Sequence, residues 1–354
     1  MKALEFPIVG TKKEKVDKKF DLNNPASRNE YFEAKVGNEI RLLKKYLKNN
    51  SFVAFLLGKK NSGKGTYSVL FSEIFGDEHV AHVSVGDVVR EVHENWNKFV
   101  KSKDYLELKK IYRGYISFDD AVDALLGRST ETLLPTEFIL ALLKLHISKL
   151  GKKAIFIDGL PRENDQVSYS LYFRDLINFR DDPDFFILID IPESVIDERI
   201  KYRVVCPLCH SSRNLKLLPT SKVEYDEKEK SFYLVCDNPN CEGARMYPKE
   251  GDNLGIGPIK PRLEKDEGIL KSVFNLHGVP KILLRNHVPV KDADKYFDKY
   301  EITPEYIFKL DGKKVKIEEK AWSVKDDNGL ECYSLLAAPV MVSLIKQLVG
   351  VLDL

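Results

Sequence analysis

The sequence predicts an α/β fold in which a parallel central sheet is flanked by helices. Three observations carry this expectation. Continuous apolar runs stand at Phe52–Leu57, Ala154–Ile157 and Phe185–Ile189, and strands buried on both faces read as unbroken rather than alternating runs. Between them, apolar residues recur at three- and four-residue spacing, as on a helix with one buried face. The first run ends in a glycine-rich loop that opens such a helix. Composition agrees: 354 residues, 43% hydrophobic and 31% charged, describe a globular chain, and 19 Phe with 16 Tyr exclude dominant disorder. With 20 Gly and 16 Pro, collagen-like and low-complexity classes are excluded as well. A net charge of +2 gives no global attraction to nucleic acid or anionic membranes, so any anion site must be local.

The elements follow in order. Residues 1–24 form a Lys-rich arm with Pro7, Gly10 and Pro25 as breakers, read as irregular. Residues 26–49 read as a helix, with Phe32, Val36, Ile40, Leu43 and Leu47 on one face. Asn23-Asn24-Pro25 offers it a cap and a first-turn proline. Strands are expected at the three runs and helices over 64–76, 86–100, 136–150, 164–178, 193–201 and 264–278. Residues 202–260 hold four of the five cysteines, with prolines and glycines and little apolar periodicity, and read as an insert with no core of its own. Residues 304–336 alternate like β-ribbons, with turns at Asp311-Gly312 and Asn328-Gly329. Val340–Leu352 reads as a packed closing helix. No run reaches the roughly 18 apolar residues that span a bilayer, and Met1-Lys2-Ala3-Leu4-Glu5 lacks the pattern of a secretory signal. A cytoplasmic protein is expected.

The loop Gly58-Lys59-Lys60-Asn61-Ser62-Gly63-Lys64-Gly65-Thr66 is a variant of the Walker A phosphate loop, with Gly65 between the lysine and Thr66. Gly58 and Gly63 let the backbone turn so that its N–H groups face one concavity. The helix starting near Lys64 adds its positive end. Lys64 reaches the terminal phosphates, and Thr66 serves phosphate or magnesium. Downstream, Ser84-Val85-Gly86-Asp87-Val88-Val89-Arg90 places an Asp and an Arg just past a short apolar stretch. Asp158-Gly159-Leu160-Pro161-Arg162-Glu163-Asn164-Asp165-Gln166 follows the second strand, with Asp158 placed like a Walker B carboxylate. Arg199 and Arg203 share a helical face. An ordered series of arginines behind a phosphate loop suits phosphoryl transfer, which needs many positive groups around one migrating phosphoryl.

In this order, over about residues 52–280, these motifs resemble the adenylate kinase family of nucleoside monophosphate kinases, with its GxPGxGKGT, STGDxLR and DGFPRxxxQ segments. The resemblance implies a P-loop NTPase fold. Its core would comprise 51–84, 151–201 and 261–354, with a helical NMP-binding insert at 85–150, a lid at 202–260, and the arm and helix 1–50 added in front. It implies that Gly58, Ser62, Gly63, Lys64, Gly65 and Thr66 hold ATP phosphates. Arg199 would lie against the ATP base, Arg203 on its phosphates, and Arg262 over the transferring group. Val85, Gly86, Arg90, Leu133, Leu134, Gly159, Arg162 and Gln166 would form the AMP site, with Gln166 reading the base. Asp87 and Asp158, with Thr66, would hold magnesium through water. Departures stand out: Val85 replaces a usual Thr, Leu160 replaces Phe, Lys59-Lys60 make the loop unusually basic, and 91–130 is longer than in the family. One further lid arginine has no clear counterpart; Lys249 is nearest and Arg245 the other candidate. Residues 1–50 and those after 280 lie outside the resemblance.

Cys206-x2-Cys209 and Cys236-x4-Cys241 give four thiols in two short-spaced pairs across a 26-residue connection. Tetrahedral Zn2+ takes four such ligands, and four protein ligands leave no open position, so a structural zinc is expected. Some adenylate kinase lids carry zinc at this place. His210 is an alternative to Cys209, and Cys332 stands alone as a structural residue. The expected reaction is reversible, magnesium-dependent transfer from ATP to AMP, giving two ADP, by a monomer with no membrane or nucleic-acid partner. Positioning and electrostatic stabilisation carry it, without a general base or covalent intermediate. A UMP/CMP or GMP kinase is the alternative: Gln166 opposes it, Val85 and the long 91–130 segment favour it. A nucleotide-gated, zinc-containing nucleic-acid-binding protein is a third reading, motivated by the cysteines and the Lys-rich arm but opposed by the near-neutral charge.

Overall fold

The structure is a computed structural model that describes residues 4–13, 18–128, 134–171, 182–312 and 314–354. Its centre is a five-stranded parallel sheet. The three apolar runs form β1 (Val53–Gly58), β3 (Ala154–Asp158) and β4 (Asp184–Asp190), side by side and nearly all buried. Two strands complete it, β2 (Val80–Ser84) beside β3 and β10 (Lys281–Arg285) beside β4, for the order β10-β4-β1-β3-β2. The edge strands escaped the sequence reading because their runs are short and partly exposed: in Lys-Ile-Leu-Leu-Arg only Ile282 and Leu284 are buried, and in Val-Ala-His-Val-Ser only Val80 and Val83, which point into different cores.

The helices cover both faces. Ala54 and Leu56 point into one core, under α1 (Pro25–Leu47), α2 (Lys64–Phe75) and the closing helix Ala337–Val351. Val53, Phe55 and Leu57 point into the other, under α3 (Val85–Glu94), α5 (Lys103–Ile111), α6 (Phe118–Leu125), α7 (Thr136–Ile147) and α10 (Lys260–Phe274), with the short α4 (Trp96–Phe99) at its rim. Phe52 is a hub of the first core, its ring 6.0 Å from Phe71, 5.6 Å from Phe156 and 5.3 Å from Phe185. Truncating such a buried ring costs about 3–5 kcal/mol.

Local chemistry sets the boundaries. Asn24 caps α1 by accepting from the Ser27 N–H, with Pro25 in the first turn, and Val36 interrupts the helix with non-helical angles. The expected helix over 86–100 divides at Asn95, which ends α3 and starts α4. Of the helix expected over 164–178, α8 (Asp165–Leu171) lies among the described residues. Then α9 (Glu193–Lys201) leads from β4 toward the cysteines.

Residues 203–248 form a small β unit. β5 (Arg203–Val205) lies between β6 (Ser212–Asn214) and β9 (Tyr247–Pro248), beside the hairpin β7–β8 (Lys222–Asp226, Ser231–Val235). Its buried cluster is Val204, Val223, Leu234 and Met246 with Cys206, Cys236 and Cys241, too small to stand alone. The tail continues with β11 (His287–Pro289). The expected ribbons follow as the hairpin β12–β13 (Pro304–Asp311, Lys314–Ala321) and as β14 (Val324–Lys325) and β15 (Glu331–Ser334), joined by a turn that includes Asn328-Gly329. The β12–β13 hairpin packs on the cysteine unit. Phe308 sits 5.7 Å from Phe232, and the Tyr306 N–H donates to the Lys216 carbonyl at 2.8 Å.

The two chain extensions lock together. Lys35, fully buried, pairs with Asp298 at 2.8 Å, while Thr11 and Tyr31 both donate to the buried Glu301 carboxylate. No described helix is long and apolar enough to cross a membrane.

Candidate active site

The carboxyl ends of β1 and β3, the start of α2 and the cysteine unit surround one cleft of about 2500 Å³. Gly63, at φ +97, is the residue immediately before α2. A side chain would be strained at that angle, and the helix's first N–H groups lack intrahelical partners there. Gly58 is packed so closely that an added Cβ would meet the Ser62 Oγ at 2.7 Å. That buried hydroxyl has no hydrogen-bond partner among the described residues. Lys64, half-buried, donates to the loop's own Gly58 and Lys59 carbonyls at 2.8 and 3.2 Å. Burial lowers its pKa, Asp158 and Asp266 oppose the shift, and Arg262 and Arg162 add to it. Two guanidinium groups and two carboxylates thus face the loop lysine.

The structure brings most of the expected donor-side residues to this cleft: Gly58, Ser62, Gly63, Lys64, Gly65 and Thr66, with Asp158, Gly159, Arg162, Arg199, Arg203 and Arg262 around them. Arg199 lies between the Asn61 carbonyl, 3.4 Å away, and Asn286 Oδ1, 3.3 Å away. Burial pulls its pKa down, offset by Tyr67. Arg203 is bidentate to Asp252, both contacts 2.6 Å. Arg262 holds Asp266 at 2.8 Å, and Asp266 also accepts the Lys60 N–H at 2.9 Å, so one carboxylate joins arginine and loop.

The expected acceptor side is more dispersed. Val85 and Gly86 start α3, and a Cβ on Gly86 would lie 3.6 Å from Arg162 Nη2. Gly159, at φ +95, leaves even less room, since its Cβ would meet the same atom at 2.8 Å. Arg90 and Asp87 are exposed, pair with each other at 2.7 Å, and do not line the cleft. Gln166 is buried and turned to the protein: Oε1 accepts the Arg162 N–H at 2.7 Å and Nε2 donates to Thr136 Oγ1 at 3.1 Å. Leu134 is half-buried against the second core, and Leu133 lies outside the described residues.

Some residues were missed. Arg213 on β6 lines the cleft beside Arg203, whereas Arg245 pairs with Asp226 and Glu229 and packs on Tyr233, and Lys249 is solvent-exposed. Neither earlier candidate lines the cleft. Asp266 was detectable as a carboxylate four residues after Arg262 on one helix.

The cysteines converge. Cys206, Cys209, Cys236 and Cys241 offer sulfurs all within 4.8 Å of one another, with Cys209 and Cys236 3.6 Å apart. The chain turns tightly at each pair: the His210 N–H returns to the Cys206 carbonyl at 3.0 Å, and the Ala244 N–H to the Cys241 carbonyl at 2.9 Å. Hydrogen bonds from Ser211 draw the Cys209 thiol down to about 6, while burial and the neighbouring thiols push Cys241 up to about 12. Four soft donors at one point form a group that could hold a metal ion. His210 is exposed and outside the group; Cys332 is buried in β15, far from it in sequence and not part of it.

No protein-family model matches the sequence. Curated relatives do. An adenylate kinase of Clostridium acetobutylicum is 31% identical over 241 residues, 64% of this chain and 93% of that protein. An adenylate kinase of Staphylococcus epidermidis is 27% identical over 240 residues, 64% of this chain and 93% of its own length. For an adenylate kinase of Clostridium novyi the match is 30% over 165 residues, which spans 64% of that relative. The fuller alignments run through nearly the whole of each relative and leave about a third of this chain unmatched.

Proposed function

The chain belongs to the adenylate kinase family, and we propose that it transfers the terminal phosphoryl group of ATP reversibly to AMP, giving two ADP. The observation that supports this reading best is the gathering of Lys64, Arg162, Arg199, Arg203 and Arg262 with Asp158 around one phosphate loop. On this reading, Gly58–Thr66 and the start of α2 cradle the donor phosphates. Arg199 flanks the donor nucleoside. Arg203 and Arg213 reach in from a lid formed by 202–260, with Arg213, rather than Lys249 or Arg245, as the second lid cation. Arg90, on an acceptor insert spanning 85–150, and Arg162, after β3 in the core, hold the acceptor phosphate.

In the transfer, an oxygen of the acceptor phosphate attacks the donor's terminal phosphorus. The bond to the bridging oxygen breaks, and the bridging oxygen keeps the electron pair. No proton need move. Negative charge spreads over the equatorial oxygens, where Lys64 and the arginines stabilise it. Thr66 and Asp158, which line the cleft, would provide water-mediated contacts to magnesium, joined by Asp87 once it leaves Arg90, and the ion would supply further charge neutralisation. In the structure Arg90 and Arg203 are occupied by Asp87 and Asp252. Each must therefore exchange or share its carboxylate when phosphate arrives, which couples ligand binding to the ordering of these groups.

The four cysteines fit a structural zinc: they are four thiols, three of them buried, with no neighbouring carboxylate in the group. Zinc would fold the unit that carries Arg203 and Arg213. Free thiols suit a reducing cytoplasmic setting.

The test is ADP formation from ATP and magnesium with AMP, UMP, CMP, GMP or no acceptor. AMP-dependent turnover supports the reading. Turnover with another monophosphate would keep the chemistry and overturn the acceptor assignment. Absence of transfer by folded, zinc-replete protein would overturn the reading itself.

A further inference from the structure

The phosphate loop carries a second lysine whose side chain turns away from the first. Lys59 is buried, 6% exposed, and its ammonium meets three carboxylates: Asp327 at 2.6 Å, Glu193 at 3.4 Å and Glu267 at 3.7 Å. Burial works against its charge, but the Asp327 hydrogen bond and the three negative charges outweigh it, and its pKa stands above the usual lysine value. Asp327 belongs to the C-terminal ribbon, outside the segment that resembles the family. Its other oxygen accepts the Glu193 N–H at 2.8 Å, at the start of α9. One residue further on, Ser194 Oγ donates to the Lys325 carbonyl at 2.7 Å. Asp326 builds the turn that presents Asp327: its carboxylate accepts the Asn328 and Leu330 N–H groups, each at 2.9 Å.

We propose that Asp327 is a positioning residue for the donor phosphate site, acting through Lys59. The ion pair fixes the loop through Lys59, one residue before the Lys60 N–H that Asp266 holds. The same carboxylate anchors the helix that bears Arg199, so loop and arginine share one reference point. Without Asp327, Lys59 would keep only the longer contacts to Glu193 and Glu267, and Gly58–Gly63 would lose its shortest side-chain anchor beside those from Asp266 and Arg199. The inference rests on the reading of Gly58–Thr66 as the donor loop.

The test uses the full-length, zinc-replete protein. Asp327→Asn keeps an acceptor for the Glu193 N–H but removes the nearest of the three charges that hold Lys59. The KM for MgATP should rise about tenfold, the scale of a lost charged hydrogen bond, while the KM for AMP stays within about twofold. Lys59→Met should give the same donor-selective loss, and the double variant should be no worse than Lys59→Met alone. Unchanged donor KM, or equal rises for both substrates, would overturn the proposal. Binding of a non-hydrolysable ATP analogue with magnesium, measured by calorimetry, separates two failures. If the wild type binds the analogue, Asp327→Asn weakens it about tenfold and neither transfers phosphoryl, the positioning role stands and the kinase reading falls. If both transfer phosphoryl with equal analogue affinity, the positioning role alone falls. If Asp327→Asn does not fold, Lys59→Met decides by the same criteria.

Discussion

Beneath the phosphate loop, Asp190 at the end of β4 and His287 in β11 face each other, Oδ2 to Nδ1, at 3.8 Å. Burial raises the Asp190 carboxyl to about 7, with Asp327 and Asp326 adding and Arg285 and Lys59 opposing. Burial, reinforced by Arg285, lowers His287 to about 3, against a smaller pull from Asp327. His287 Nε2 faces Arg285 at 3.2 Å and Asp326 at 3.9 Å, and Cys332 senses the same carboxylates. The signs are opposite. Between about pH 4 and 7 the folded chain holds a proton on Asp190 that the unfolded chain releases, so this term favours folding at the acid end and is lost as pH rises toward 7. Between about pH 6.5 and 3 the unfolded chain protonates His287 and the folded chain does not, so this term costs stability as pH falls. Over the shared window, about pH 4 to 6.5, each slope is about 1.4 kcal/mol per pH unit and the two cancel. Asp190→Asn mimics the neutral acid that the fold already holds there, and so removes one slope while leaving the surroundings of His287 alone. Relative to wild type, this variant should lose about 3 kcal/mol of unfolding free energy between about pH 6.5 and 4. Denaturant unfolding across that range measures it, and His287→Gln should tilt the difference the other way. Parallel stability profiles for wild type and Asp190→Asn would refute the reasoning.

Three other outcomes are expected. Purified protein should contain about one zinc per chain, and Cys236→Ser or chelation should expose 203–248 to proteolysis while the sheet stays folded, as judged by metal analysis and limited digestion. Gly159→Ala forces a side chain to φ +95 and a Cβ to 2.8 Å from Arg162 Nη2; it should raise the KM for AMP about tenfold and the KM for MgATP much less. Phe308→Ala removes the ring 5.7 Å from Phe232 and should speed hydrogen exchange in β7 and β8 by up to about tenfold, on the scale of about 1 kcal/mol for an aromatic pair.

The parts of the fold that were legible in the sequence are those whose physics is local. Strands buried on both faces announce themselves as β1, β3 and β4 do, and Asn24-Pro25 marks a helix start because cap and proline act within one turn. The loop, Asp158 and the cleft-facing arginines Arg199 and Arg203 were legible from their spacing, while Arg262 came only through the resemblance. What escaped depends on distant partners. Edge strands β2 and β10 need a neighbour to declare them. Arg213 faces the cleft only because β6 pairs with β5, placing it opposite Val204. Lys59 read as an oddly basic loop residue, since three carboxylates distant in sequence give it its place. Gln166 carries the residue type expected to read a base, yet both ends of its amide are engaged by the Arg162 backbone and Thr136.

The C-terminal ribbon, outside the segment that resembles the family, touches the unit proposed as the lid. The β12–β13 hairpin is held at its base where the Thr303 N–H meets the Ser334 carbonyl of β15 at 2.8 Å, and Trp322 joins the buried cluster of Ile196 and Leu263. From there it reaches the proposed lid through the Tyr306–Lys216 backbone bond, the Glu305–Lys216 pair at 3.6 Å and the Phe308–Phe232 contact. Either the hairpin travels with the lid, bending at its anchored base, or these contacts break when the lid moves. Breaking them would cost about 1 kcal/mol for the backbone bond, about 0–1 for the half-exposed ion pair and about 0.5–1.5 for the rings. The sum, about 1.5–3.5 kcal/mol, is the size of a typical coupling free energy and would shift a two-state ratio about 10- to 400-fold. If the contacts break when the proposed lid moves, the ribbon would act on the same equilibrium as substrate binding. A hairpin that travels with the lid adds mass but no bias, whereas one that stays on the core sets the resting position from which the lid departs.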